Sequence, residues 1–255
     1  MRAEQLEGVV AIALIFVFIF AERRRPIVKT DKKVHLRLDI IGFFAIFAFG
    51  RLSRFSLKEI GETLTSFFET SFSSLHSLYA NIPSIPRVIL AIIIVDFCLY
   101  WIHRGMHNPR FWRFHTWHHS IEQLYWFSGF RASLIHTFLF LTPQVLLIYA
   151  LGLTRIESIS AFTFGIFIQF WQHANFDITL GKAERFIMTP RFHRLHHAKE
   201  QYRDKNFGTV LVIWDRIFGT YIDPCKANTK IELGLSNNTV KTVKSAKTIR
   251  MILGV

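Results

Sequence analysis

The sequence predicts an all-α integral membrane protein: a helical bundle of about four to five spans with a cytoplasmic, histidine-rich helical cap. Three observations lead there. The 255-residue chain is 51% hydrophobic, has 27 Phe, and contains several long, nearly charge-free apolar runs. Its 31 Lys plus Arg outnumber 18 Asp plus Glu, leaving a formal net charge of +13 that is concentrated between the runs. Its histidines recur three and four residues apart, the spacing that places side chains on one face of a helix. A soluble nucleic-acid-binding protein would match the charge but not the apolar runs, so no nucleic-acid partner is expected. The length suits one domain.

The first run, residues 9–21, follows an acidic to uncharged start and is followed by Glu22-Arg23-Arg24-Arg25. A secretory signal carries its positive charge before the apolar stretch, so this run is expected to be a retained anchor with its C-terminal end in the cytoplasm. The second run, 39–50, is short, and is either a thin or tilted span or a half-buried segment. Residues 51–87 are mixed and Ser-rich, which suggests a loop with an interfacial amphipathic piece. Residues 87–102 form the clear third span. Runs 134–153 and 156–172 are separated by little more than Thr154-Arg155, which makes a membrane hairpin. Segments 22–37, 103–133 and 173–255 hold 25 of the 31 Lys and Arg, so they are assigned to the cytoplasm together with every paired histidine motif. Arg51, Arg54, Lys58 and Arg87 fit this assignment poorly, and if 39–50 does not cross, the first span must flip. Residues 209–222 are the one apolar stretch of the C-terminal part and are expected to be strand-like or interfacial. Beyond about Lys226 a solvated tail is expected. Cys98 and Cys225 form no C-x-x-C pair, so neither a cysteine-ligated metal site nor a disulfide framework is supported.

His103 and His107 are spaced H-x-x-x-H, and His115, His118, His119 and His193, His196, His197 each read H-x-x-H-H. Two copies of so rare a pattern favour metal binding over two solvated histidine-rich helix ends. Eight clustered imidazoles exceed the roughly four ligands a zinc ion uses, which implies two metal ions. Imidazole suits iron, zinc, copper and nickel alike. The lipid setting weighs for a redox metal, because hydrolysis would need water where the substrate is apolar.

The order H-R-x-x-H, H-x-x-H-H, a solitary H-x-N after the apolar hairpin, then F-H-x-x-H-H with N-F-G and W-D-R-x-F-G-T-Y resembles the fatty acid hydroxylase superfamily, in its sterol desaturase and C-4 sterol methyl oxidase-like branch. The resemblance covers about residues 96–221. It implies an integral membrane enzyme with a histidine-ligated diiron centre that uses O2 and two electrons to hydroxylate or desaturate a sterol, fatty acyl or related lipid. Carried over by position, it implies metal ligation by His103, His107, His115, His118, His119, His193, His196 and His197, with His173 as the ninth. It divides the chain into a membrane anchor region (1–87), a catalytic domain (88–225) and a basic tail (226–255).

One departure concerns the R-x-H-P-x-E of many relatives. Here Ser133 stands where they have His, and His136 where they have Glu, so His136 either replaces a contact to the site or is a packed histidine of the fourth span. Asp96, two helical turns before His103, either orients a ligand or partners a nearby Arg or Trp. Asn175 and Asp177 are candidates for the same orienting role or for an extra contact. Asp204 and Asn206 are expected to brace the loop after the last triple. His35 and His76 are isolated and read as surface or interfacial. The chain has no dinucleotide motif, recognisable cytochrome b5 module or cysteine cluster, so electrons must come from an external ferredoxin- or cytochrome b5-type donor. A carotenoid or ether lipid is an alternative substrate on the same scaffold. The rival outside enzymes is a membrane metal-binding or transport protein, which should line its spans with polar residues. A bacterial inner membrane and an endoplasmic reticulum membrane fit the topology equally.

Overall fold

Where apolar residues run on without breakers, the backbone must satisfy its own N–H and C=O groups, and helices result. The computed structural model of the chain describes residues 3–31, 33–199, 201–227, 231–235 and 248–254; the side chain of His35 lies outside what is described. The long helices are α1 (Ala3–Arg24), α2 (Lys33–Ser71), α4 (Ser84–Met106), α6 (Leu134–Ala150) and α7 (Arg155–His173), with α3 (Ser73–Ala80) joining α2 to α4. The short helices α5 (Trp112–His119), α8 (Pro190–His196), α9 (Ile213–Ile217) and α10 (Thr248–Leu253) gather with three 3₁₀ turns into a cap.

Among the described residues two helices, Leu36–Ser71 and Ser84–Met106, are long and apolar enough to cross a membrane, and Leu134–Ala150 is a shorter apolar helix. Their apolar side chains point outward: Phe44 is 64% exposed and Ile85 77%, as is Phe16 of α1 at 68%. A water-facing surface does not tolerate bulky apolar residues at this density, whereas lipid does. The protein is read as an integral membrane protein on this ground.

The long helices share one end. The Glu22 carboxylate at the end of α1 accepts the backbone N–H groups of Trp126 (2.7 Å) and Asn175 (2.8 Å) of the cap. From there α2 runs away from the cap beside α6: a Cβ on Gly42 would collide with the Phe130 carbonyl, and one on Gly61 with the Tyr149 ring. Both pairs are 88 residues apart, so α2 and α6 run parallel. Next α4 returns to the cap with His103, α6 leaves it, and α7 returns with His173. The cap end therefore receives the described parts of segments 22–37, 103–133 and 173 onward.

At the opposite end Arg87 donates from Nε (3.0 Å) and Nη2 (2.5 Å) to Glu157 Oε1. The misfit of Arg87 in the charge count has a physical cause here, since its charge is neutralised inside the protein. The α6–α7 connection is closed by Gly152 at φ 60° and by a capping box between Thr154 and Glu157. The expected hairpin is present as a connection; both arms pack on α4, and beyond it α6 packs on α2 and α7 on α1.

Three expectations are corrected. Residues 51–71 and 73–80 are helical, not a loop; in the first stretch Leu57, Gly61 and Thr65 recur every four residues along the face that meets α6. Leu57 is buried there, and Thr65 donates its hydroxyl to the Tyr149 carbonyl at 2.7 Å. At 39 residues, α2 is about 58 Å long, more than the roughly 30 Å of a hydrocarbon core requires. Residues 209–222 form no strand among the described residues; they give α9 and a single bridge, Ile187 to Leu211. Asp96 takes the N–H groups of Val210 (2.8 Å) and Leu211 (3.0 Å) that a ladder would need. The described part of the tail is docked, not solvated: Leu233 and Leu235 are buried, and Gly234 N–H donates to the His197 carbonyl at 3.2 Å.

Gly42→Ala separates two effects. Alanine improves helix propensity by about 1 kcal/mol, but the clash with the Phe130 carbonyl costs about 1–3 kcal/mol. Thermal unfolding in detergent should show a lowered midpoint for Gly42→Ala. Gly50→Ala, where an added Cβ meets nothing within 4 Å, should not lower it.

Candidate metal centre

His103 lies in the last turn of α4, and His107 is its C-cap residue. α5 ends in His118 and His119, and α7 ends in His173. α8 starts with Pro190, whose fixed φ suits a first helical position, and carries His193 and His196, with His197 as its C-cap residue. The nine side chains meet in two groups, His103, His107, His115, His119 and His196 in one, and His118, His173, His193 and His197 in the other. Within each group one ligand atom per residue lies within 4.8 Å of all the others.

The two H-x-x-H-H motifs are used in opposite senses. The first sends its i and i+4 members, His115 and His119, to the five-histidine group and its i+3 member, His118, to the other. The second sends His193 and His197 to the four-histidine group and His196 to the five. Each motif therefore walls both groups.

Hydrogen bonds on the outer side of the rings fix what faces inward. Carbonyl and carboxylate oxygens only accept, so the Nδ1 of a histidine beside one carries the proton. His103 donates from Nδ1 to Phe207 O (2.9 Å), His107 to Asp204 Oδ1 (2.9 Å) and His196 to Lys205 O (2.9 Å). His118 donates to Arg131 O (3.1 Å) and His173 to Gln169 O (2.9 Å). A neutral imidazole has one N–H, so Nε2 of each of these five is a bare lone pair. Yet Nε2 of His118 and Nε2 of His173 lie 3.2 Å apart, two acceptors facing each other with no proton between them. Further Nε2 pairs are His103 with His115 (3.0 Å), His119 with His196 (3.0 Å), and His193 with His173 and His197 (both 3.1 Å). Neighbouring ligands on a metal with bonds of about 2.1 Å stand about 3.0–3.4 Å apart. The donor set fits cations, and it fits hydrogen bonding poorly. Four buried nitrogens of these nine rings also lack a hydrogen-bond partner among the described residues: His107 Nε2, His119 Nδ1, His193 Nδ1 and His197 Nδ1.

Burial pushes the pKa values of His115, His118, His119, His193, His196 and His197 well below the ordinary histidine value, and neighbouring imidazoles add to the effect. The same burial lowers His107, although Asp204 opposes it. The His107 hydrogen bond in turn pulls Asp204 down to about 2. The imidazoles are therefore neutral at physiological pH, the form that ligates metal.

One loop orients three members of the five-histidine group, through the Asp204 carboxylate and the carbonyls of Lys205 and Phe207. Asn206 holds that loop at φ 54° and bonds to Ile222 through both ends of its amide (2.9 and 3.1 Å). Asp215 accepts the N–H groups of Phe207 and Gly208, each at 2.8 Å. Arg131, whose carbonyl orients His118, is itself buried and pairs with Asp39 of α2 (Nη2 to Oδ1, 2.6 Å), which also accepts the Tyr125 hydroxyl at 2.6 Å.

Other candidates lie elsewhere. Asp96 accepts Trp214 Nε1 (2.8 Å) besides the two backbone N–H groups, so it pins α9 to α4 and reaches no histidine. Asn175 bonds to Val28 and Arg194, and Asp177 pairs with Arg191 at the surface. His136 is buried with Nδ1 3.2 Å from Nδ1 of His115. Ser133 caps α6, accepting His136 N–H (3.1 Å) and donating to Phe114 O (2.7 Å). His76 packs at the far end of the bundle, against Gly152 and 3.9 Å from Glu69. A cavity of about 600 Å³ also lies at that end, lined by Glu62, Tyr149, Arg155 and Phe162. Sequence reasoning missed the roles of Asp204, Asp39 and the orienting carbonyls. The acid in D-x-N-F-G just after the last triple was a signal for Asp204; backbone carbonyls leave none.

The family model for Fatty acid hydroxylase matches residues 88–220. Human alkylglycerol monooxygenase is 35% identical in an alignment of 165 positions that covers 60% of this chain and 34% of the relative. Ornithine lipid hydroxylase OlsE of Rhizobium tropici is 33% identical, covering 61% of this chain and 47% of the relative. Delta(7)-sterol 5(6)-desaturase of Leptosphaeria maculans is 27% identical, covering 64% and 44%. The chain thus spans about a third to a half of the length of these relatives. No solved structure matches significantly.

The depressed histidine pKa values fix a pH dependence. The unfolded chain binds protons below about pH 6.5 that the folded chain refuses, so stability is present above that pH and is lost as pH falls through it. Two such groups alone cost about 2.7 kcal/mol per pH unit. Thermal unfolding of metal-free protein between pH 7.5 and 5 should show a steeply falling midpoint; a flat profile would contradict the neutral, buried cluster.

Proposed function

Because the chain belongs to the fatty acid hydroxylase family, we propose that it is a membrane-bound non-haem diiron oxidoreductase that hydroxylates or desaturates a lipid with O2 and externally supplied electrons. The observation that carries this reading is the convergence of nine neutral imidazoles into groups of five and four, with ring nitrogens opposed at 3.0–3.2 Å and, between His118 and His173, two lone pairs at 3.2 Å. His103, His107, His115, His119 and His196 would hold one iron, and His118, His173, His193 and His197 the other, within a catalytic unit at residues 88–225. The bound pair supplies O2 activation and one-electron redox chemistry. For hydroxylation the balance is RH + O2 + 2e⁻ + 2H⁺ giving ROH + H2O.

The chain's own residues keep water out and the ligands in one tautomer. His103 and His136 meet the ring of Phe140 on α6, with centroids 5.7 and 4.7 Å apart. This apolar wall suits a C–H bond delivered from the bilayer. The higher identity to the alkylglycerol and ornithine-lipid enzymes than to the sterol desaturase favours a polar-headed lipid over a sterol. The distribution of Lys and Arg supports a cytoplasmic cap. A metal transporter is disfavoured, since the histidines gather at one end and Asp96 is engaged by α9.

Metal analysis of detergent-purified protein should give about two irons per chain, and lipidomics of cells with and without it should show a product that incorporates ¹⁸O when the lipid is hydroxylated. A single zinc, or an unchanged lipid profile, would reject the reading. His118→Ala should abolish turnover while the protein stays in the membrane.

His136 is proposed to accept the Nδ1 proton of His115, so that His115 turns Nε2 to the metal. Outer partners of this kind are worth about 10–100-fold in metal affinity. Chelator competition should show such a loss for His136→Leu and near-normal affinity for His136→Gln, whose amide still accepts; equal affinities would reduce His136 to packing.

A further inference from the structure

The electrons must reach a buried cluster, and the cluster backs onto the aqueous surface at one place. Of the nine histidines only His107 belongs to a residue that is not buried: its backbone reaches the surface, while its side chain is 3% exposed. Trp112 covers that ring. Its indole centroid lies 5.0 Å from the ring of His107 and 5.0 Å from that of His119, and the guanidinium of Arg203 sits over the indole, 4.8 Å from its centroid. Trp112 is partly exposed, and the neighbouring Phe111 is 49% exposed. One aromatic side chain thus touches solvent and two histidines of the five-membered group.

The chemistry around it is cationic and aromatic. Arg110 and Arg113 are exposed on either side of Trp112 in sequence, and Asp204, the acid that accepts from His107, also pairs with Arg203. Arginine and aromatic residues are the types enriched in protein interfaces, and a field of one sign steers a partner of the opposite sign.

We infer that the surface around Trp112 is the docking and electron-entry port for a small acidic one-electron carrier protein. This rests on the diiron reading above. Each encounter oxidises the carrier by one electron and reduces the metal pair by one; two encounters supply the 2e⁻ of the balance, and water supplies the protons. Trp112 closes the gap between docked carrier and His107 and His119, while the arginines hold the carrier.

The test uses iron-loaded protein in nanodiscs and a reduced [2Fe–2S] ferredoxin as the acidic probe, followed anaerobically by stopped flow. The bimolecular rate should fall more than about tenfold in Arg110→Glu/Arg113→Glu and should fall with rising salt. Biolayer interferometry on metal-free protein should show the same double variant binding ferredoxin about tenfold more weakly or worse. Trp112→Leu should slow transfer at saturating ferredoxin with binding unchanged, and Trp112→Phe, which preserves the packing, should slow it less. Reduction by dithionite and the iron content should stay normal in every variant. Ferredoxin rates and binding unaltered by the charge reversals and by Trp112→Leu would overturn the port and leave the patch to lipid head groups. Wild-type protein whose bound metal dithionite cannot reduce would overturn the diiron reading itself, and this inference with it.

Discussion

The Nε2 lone pairs of His118 and His173 face each other at 3.2 Å in a water-poor interior and repel, and the cap holds both rings in that arrangement. Five histidines give their only N–H to an oxygen behind them, and what remains points inward. Neither His118 nor His173 can place a proton between their two Nε2 atoms, because both give their only N–H, at Nδ1, to a carbonyl. A cation resolves the conflict at once, which is why outward hydrogen bonds matter as much as inward nitrogens.

The rest of the fold holds those oxygens still. The loop at residues 204–208 serves three rings and is itself held by Asp215, by the Asn206 amide and by its positive φ. The Arg131 carbonyl is fixed because its guanidinium is buried against Asp39 of α2. Removing one partner of such a pair costs about 3–5 kcal/mol, so α2 is coupled to the cluster although it contributes no histidine. Asp96 does similar work for α9. Asp96, an acid in an apolar span, looks functional in sequence, and its work is to position a loop.

Much of this was legible in the chain. The H-x-x-x-H and H-x-x-H-H spacings announced convergent nitrogens, and the count beyond four ligands announced two groups. The apolar runs located α1, α4, α6 and α7, and the clustering of Lys and Arg picked out the segments that share an end. Less was legible where the pattern was mixed. Residues 51–71 look loop-like by composition because α2 shows its polar side chains beyond the apolar zone, and only the four-residue recurrence of Leu57, Gly61 and Thr65 against α6 explains the helix. Residues 209–222 have strand composition, but Asp96, more than a hundred residues away, takes the N–H groups a ladder would use.

The sequence by itself determined the ligand types, their spacing and the apolar length of the helices, because these depend on residues within a few turns of one another. The tertiary structure alone decided how the histidines divide. Local spacing puts His115, His118 and His119 on one face, yet that face lies between two groups, and the facing motif is reversed in its use. It also decided that Asp96 serves a loop while Asp204 serves a ring, and that His136 stands behind His115. Those outcomes depend on which distant backbone carbonyls and side chains arrive at the cap when five helices meet, and local sequence does not encode that distance.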